Sequence, residues 1–192
     1  MKFSVAELES TFAAALGSMR DALNSSGEPW MLIGGLAVGG WSEPRGTKDC
    51  DFAVALPKDT QPLVAALRDA GMTLRDDAFS SVADGGPVRF RFDPPDRPSL
   101  VVDLLCAGTP FEREALSRRR EFDILGVRLF VASPDDLVIF KLIAGRPQDF
   151  ADIDRLIRFG RAPEDEGYVR KWAREWDVES EFDRALATAR RT

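Results

Sequence analysis

Asp49 and Asp51 stand one residue apart in the run from Trp30 to Leu56, WMLIGGLAVGGWSEPRGTKDCDFAVAL. Side chains alternate faces along an extended strand, so the two carboxylates aim the same way, about 7 Å apart along the chain. Like charges placed in this way repel unless something positive lies between them. A divalent metal is the simplest candidate. Upstream, an apolar strand ends in Gly34-Gly35, and a turn without side chains leaves backbone N–H groups available to phosphate. The two features together point to a metal ion and a nucleoside triphosphate. Taken alone, Asp-x-Asp also fits a solvated acidic turn after Gly46-Thr47-Lys48; the glycine pair ahead of it favours the metal.

Asp103 is the single charge in Leu100-Val101-Val102-Asp103-Leu104-Leu105. A bare carboxylate in a buried strand costs several kcal/mol, so this one needs a partner. One candidate is Arg89 or Arg91 on a neighbouring strand. The other is a cation shared with Asp49 and Asp51, in which case Asp103 could also orient or deprotonate an attacking hydroxyl. Lys141 is the mirror case, the lone charge in Leu137-Val138-Ile139-Phe140-Lys141-Leu142-Ile143-Ala144. It either snorkels to solvent or meets an anion, of which a triphosphate is the natural one beside a metal. Arg45 and Thr47, just ahead of Asp49, could contact phosphate or shape the loop. Arg118-Arg119-Arg120 reads as a solvated run, and the four tryptophans as packing.

The chain contains no histidine. That removes Ser-His-Asp and Cys-His nucleophilic schemes, imidazole bases and His-ligated zinc. The two cysteines, Cys50 and Cys106, make neither a disulfide framework nor a zinc site and read as small buried hydrophobes. Lys plus Arg number 26 against 32 Asp plus Glu, a formal charge of -6. Such a chain is not a strong general nucleic-acid binder, although a local basic patch leaves room for an RNA substrate. The first ten residues lack the apolar segment of a signal peptide, and no apolar run is long enough to span a bilayer, so a cytoplasmic location is expected.

These side chains need elements to position them. Apolar residues at Val5, Leu8, Phe12, Leu16, Met19 and Leu23 make one helical stripe, ended by Asn24-Ser25-Ser26-Gly27. Trp30 to Ile33 reads as a strand, Gly34 to Trp41 as a short helix, Ser42 to Lys48 as a loop and Cys50 to Leu56 as the second strand. A helix is expected over Asp59 to Ala70. After a loop around Asp84-Gly85-Gly86-Pro87 come a half-exposed strand from Val88 to Asp93 and a buried strand from Leu100 to Leu105. A helix from Phe111 to Arg120 and a hairpin from Phe122 to Val131, split at Gly126, follow. Ser133 and Pro134 are the cap and first residue of a helix that stops near Gly145. Further helices span Gln148 to Phe159, Glu164 to Trp176 and Glu179 to Ala189. The expectation is an α/β fold, a small mixed β-sheet flanked by helices, with residues 1–131 as its core and residues 132–192 as a helical C-terminal region packed on it.

The succession Gly34-Gly35, Arg45-x-Thr47-x-Asp49-x-Asp51, a strand bearing Asp103, a helix bearing Lys141, then Arg146-x-x-Asp149-x-x-Asp152 resembles the minimal nucleotidyltransferases of the DNA polymerase β-like superfamily. Within it the pattern is most similar to the AbiEii toxin-type branch. The resemblance implies that Asp49, Asp51 and Asp103 hold Mg²⁺, two ions in all, and that Gly34, Gly35 and Lys141 hold the triphosphate, with Arg45, Thr47 and Asp149 in the same nucleotide-binding set. It implies attack of an acceptor hydroxyl, on RNA, protein or a small molecule, at the α-phosphate of an NTP. It also implies an antitoxin partner for members that are toxins. Relatives often carry Ser or Thr just after the glycine pair; Leu36 stands there in this chain and offers no hydroxyl to phosphate. Other readings are a nucleotide-binding module of the same fold without turnover, a small-molecule (aminoglycoside-type) nucleotidyltransferase, and an Asp-x-Asp glycosyltransferase, against which the glycine pair and the small size count.

Overall fold

Trp30–Ile33 (β1) runs through the middle of the protein and turns at Gly34 directly into the helix Gly34–Trp41 (α2). The chain returns antiparallel to β1 as Asp49–Ala55 (β2), with Ile33 opposite Asp51. A computed structural model describes residues 4–44, 46–55, 57–74 and 87–190. Arg45, Leu56 and the stretch 75–86, including most of the loop around Asp84-Gly85-Gly86-Pro87, lie outside the described residues.

Val5–Ser25 (α1) opens the chain behind a capping box of Ser4 and Glu7. After β2 come Gln61–Asp69 (α3), a short strand Met72–Thr73 (β3), then Val88–Phe92 (β4) and Leu100–Ala107 (β5). Pro110–Arg118 (α4) leads to the hairpin Arg120–Ile124 (β6) and Val127–Val131 (β7), followed by Pro134–Ala144 (α5), Pro147–Arg158 (α6), Glu166–Glu175 (α7) and Glu179–Ala189 (α8). The described strands form one mixed sheet in the order β3-β4-β5-β2-β1-β7-β6. This is the expected α/β architecture with helices flanking a mixed sheet.

Two features of the sheet matter for function. β2 and β5 pair in parallel and place Asp51 beside Asp103. β4 pairs antiparallel with β5 and places Arg89 beside Asp103. Residues directly opposite one another on neighbouring strands share a face, so register alone brings Asp49, Asp51, Asp103 and Arg89 to one side. Phe52, Ala53 and Val54 are fully buried, as expected of a strand in the middle of a sheet. β4 alternates, with Val88, Phe90 and Phe92 inside and Arg89 and Arg91 outside.

A single buried cluster runs from Phe12 of α1 to Leu186 of α8. Trp30 meets Phe52 and Phe130, and Phe111 of α4 meets both Phe140 of α5 and Trp172 of α7. α5 is buried along most of its length, capped by Ser133 and stopped by Gly145 in the left-handed conformation. Trp176 departs from the packing role expected of it and is more than a third exposed.

Candidate active site

Gly34 is the first element of the site. Its φ is +68°, in the region glycine enters without steric cost. A Cβ at this position would lie 2.0 Å from Asp51 Oδ2, so the β1–α2 turn and the Asp51 carboxylate occupy adjoining space that no side chain can share. The next backbone N–H, from Gly35, donates to the Asp51 carboxylate. An amide that the glycine pair makes available to phosphate is thus directed at Asp51.

Oxygen atoms of Asp49, Asp51 and Asp103 lie within 4.8 Å of one another. Asp103 is buried and the other two are half-buried. Burial and the neighbouring charges of Asp49 and Asp103 push the Asp51 carboxyl up to about 6, against a weaker opposing pull from Lys141 and the Gly35 amide. Such a shift marks a carboxyl whose ionised form is opposed first by burial and then by its acidic neighbours. Three carboxylate groups converging on one point are a hard-oxygen donor set of the kind Mg²⁺ prefers. The Cys50 thiol between the aspartates points into the core, and burial raises its pKa far above the ordinary thiol value.

Thr47 donates its hydroxyl to Asp49 Oδ1 at 2.8 Å. That hydrogen bond ties the loop to the Asp49 carboxylate. Arg45 lies outside the described residues. Of the two partners expected for Asp103, an arginine is present: Arg89 donates to it in a fork, Nε to Oδ1 at 2.8 Å and Nη2 to Oδ2 at 2.7 Å, while the carboxylate also lies beside Asp49 and Asp51. Arg91 turns instead to Asp93.

Lys141 is buried and meets protein carboxylates, Asp149 Oδ1 at 2.9 Å and Asp152 Oδ2 at 2.8 Å. Asp149 also accepts from the Arg146 guanidinium and backbone N–H. The Asp149 carboxylate is thus engaged with Lys141 and Arg146. The charges of Lys141 and Arg146 reach the trio: the first lowers the Asp51 pKa, and both Asp51 and Asp49 raise that of Arg146. α5 and α6 therefore present cationic groups to the carboxylates of β2.

Beside the trio, a groove of about 490 Å³ opens between the start of α1, α2 and the β6–β7 hairpin. Gly35, Leu36 and Thr47 line its inner end, and Leu8, Phe12 and Ile124 its apolar wall. Its size is that of small-molecule sites in general.

Over residues 18–189 the sequence matches the model of the family described as nucleotidyl transferase AbiEii toxin, type IV TA system. The chain belongs to the AbiEii nucleotidyltransferase family. It is accordingly an enzyme of the nucleotidyltransferase class. No curated protein matches the chain in sequence. Among solved structures, a putative nucleotidyltransferase from H. pylori superposes with a TM-score of 0.57 at 15% identity, over 96% of this chain and 81% of that one. An antigenic nucleotidyltransferase-like protein from Paracoccidioides brasiliensis gives 0.51 at 16%, over 96% and 94%. The antibiotic-resistance factor ANT(2'')-Ia gives 0.50 at 16%, over 94% and 96%. At these identities the likeness is one of fold.

Sequence reasoning underrated two residues of this AbiEii-family site. Arg89 counted as one of two possible partners for Asp103; the cross-strand register that selects it depends on how β4 aligns with β5. In the sequence Asp152 stands out only as a motif position. Its spacing of three from Asp149 on a helix places both carboxylates on one face, which was a readable sign of a shared cation.

Proposed function

We propose that this AbiEii-family enzyme transfers a nucleoside monophosphate from an NTP to an acceptor hydroxyl with the aid of Mg²⁺. The convergence of Asp49, Asp51 and Asp103 within 4.8 Å, against the Gly34-Gly35 turn, carries the proposal. In this reading the three carboxylates hold the metal, which when bound neutralises charge on the phosphates and on the departing pyrophosphate. Gly34 and Gly35 keep side chains away from the phosphates. Arg146 and Lys141 supply positive field from α5 and α6, with Asp149 fixing both. Asp103 orients the attacking hydroxyl. A new O–P bond forms at the α-phosphorus, the bond to the β-phosphate oxygen breaks, and pyrophosphate leaves with the bonding electrons while the hydroxyl proton passes to a carboxylate or to water.

The groove next to Gly35 and Thr47 has room for a nucleoside-sized group, and Leu36 offers it an apolar contact where relatives offer a hydroxyl. The acceptor is RNA, protein or a small molecule; the charge of -6 weighs against a large nucleic acid. Residues 1–131 act as the transferase core, and residues 132–192 form the helical region that packs on it and delivers Lys141. Among the described residues no helix is long and apolar enough to cross a membrane, which is compatible with action in the cytoplasm beside an antitoxin.

The test is label transfer from α-labelled NTPs with Mg²⁺, with and without cellular RNA, comparing the wild type with Asp49→Ala/Asp51→Ala. Transfer by the wild type alone is expected. Tight nucleotide binding with no transfer to any acceptor would favour a binding module without turnover.

A further inference from the structure

Arg89 and Asp103 are an ill-matched pair by burial. The Asp103 side chain is 11% exposed and that of Arg89 is 69% exposed. Lys141 is sealed in with its acids at 8% exposed, whereas Arg146 resembles Arg89, 72% exposed against an Asp149 that is 1% exposed. Water competes for a guanidinium this exposed, so the Arg89 fork is held less firmly than a sealed pair such as Lys141 with its acids. Arg89 reaches in from the outward face of β4 and forks onto Asp103, and a side chain this exposed can turn out into solvent. Its charge is also felt by Asp49 and Asp51. Together these contacts make the guanidinium a resident cation of the trio.

A divalent ion drawing on Asp103 meets that positive group within hydrogen-bond reach of the same carboxylate, and the two cations oppose each other. An incoming triphosphate changes the balance, since it offers the displaced fork a second anion of matching geometry. We propose that Arg89 is a built-in counter-cation that competes with metal for Asp103 and moves to nucleotide phosphate, so that metal and nucleotide bind cooperatively. This rests on the metal-binding reading of the trio given above. It makes Arg89 a positioning residue that discourages the trio from filling with metal before nucleotide arrives.

The experiment is a Mn²⁺ titration followed by electron paramagnetic resonance, on wild type, Arg89→Ala, Arg89→Gln and Asp51→Asn. Each is run alone and with a mixture of non-hydrolysable analogues of the four NTPs. Without nucleotide, both Arg89 variants are expected to bind Mn²⁺ about tenfold more tightly than wild type. With nucleotide, that gap is expected to close. Thermal melting without metal checks that the variants are folded, which the exposure of Arg89 favours. Equal or weaker Mn²⁺ binding by either Arg89 variant overturns the proposal, as does a gap that persists unchanged with nucleotide. Loss of Mn²⁺ binding in Asp51→Asn places the ion at the trio. Binding that survives Asp51→Asn, or that is absent from every protein, refutes the metal site itself and the proposal with it.

Discussion

Gly34 and Asp51 face each other so closely that a methyl group on the glycine would sit 2.0 Å from the aspartate's Oδ2. The contact joins the end of β1 to the start of β2 across their register pair Ile33–Asp51. Gly34→Ala meets two obstacles, the positive φ and the carboxylate. Strain of this kind costs about 1–3 kcal/mol, and Asp51 has to move for the methyl to fit. The expected outcome is a folded protein with a lower melting temperature and roughly 100-fold less nucleotidyl transfer, because small displacements of reacting groups carry penalties of that order. Activity within twofold of wild type would mean that the position of Asp51 does not matter to the chemistry.

Lys141 stands between two carboxylates, each of which is 1% exposed. Replacing it with methionine keeps the volume and removes the charge. The remaining acids are then buried with too little compensation, a situation that costs about 3–5 kcal/mol. Urea denaturation of Lys141→Met is expected to show a loss of that size. The triple variant Lys141→Met/Asp149→Asn/Asp152→Asn is expected to regain much of it, since no uncompensated charge remains. A single variant as stable as wild type would show that water reaches this cluster.

Asp149 contributes stability that acid removes. Burial opposes its ionised form, but hydrogen bonds from Arg146 and Lys141 prevail and hold the carboxyl below its ordinary value of 3.8. A carboxyl with a depressed folded-state pKa contributes stability that is complete above its unfolded value and lost as pH falls through the folded one. Wild-type stability is therefore expected to fall below about pH 4. In Asp149→Asn, stability is expected to be lower at neutral pH and to decline less steeply on acidification. Chemical denaturation between pH 3 and pH 7 measures both slopes, and parallel curves would remove Asp149 from the account.

The sequence announced the trio because strand alternation and the cost of a buried charge are local rules. Asp49 and Asp51 share a face by period two, and Asp103 needed a partner wherever it lay. Strand register is not local, so whether Arg89 or Arg91 met Asp103 waited on the alignment of β4 with β5. The sequence leaves Lys141 a choice between solvent and an anion; the acids it meets, eight and eleven residues on, belong to the next helix and are reached only through the turn at Gly145. The start of α4 had a local sign that passed unused. Thr109 and Glu112 form a capping box, which places the helix start ahead of the expected Phe111. The two-residue strand β3 pairs with β4 at the edge of the sheet and carries too few residues for a period of its own.

The arginine run 118–120 is the clearest departure, and it yields an ordered prediction. In place of a solvated stretch, Arg118 lies 3.7 Å above the Tyr168 ring and within 3.6 Å of Asp135 and 3.4 Å of Asp136, both of which are fully buried. Asp135 also accepts the backbone N–H groups of Glu164 and Asp165, and Tyr168 donates to Asp136 at 2.6 Å. The network ties α4 and α5 to the segment that starts α7. Arg118→Ala leaves two buried carboxylates without their cation and is expected to cost about 3–5 kcal/mol. Tyr168→Phe removes one hydrogen bond from an acid that keeps Ser133 and Arg118, and is expected to cost about 1–3 kcal/mol. Arg120 pairs with Glu164 at the surface, where both side chains are more than 40% exposed, so Arg120→Ala is expected to cost at most about 1 kcal/mol. Urea denaturation of the three variants measures the order Arg118, Tyr168, Arg120. Arg118→Ala and Arg120→Ala losing the same stability would return residue 118 to the solvated face that its neighbours in sequence imply.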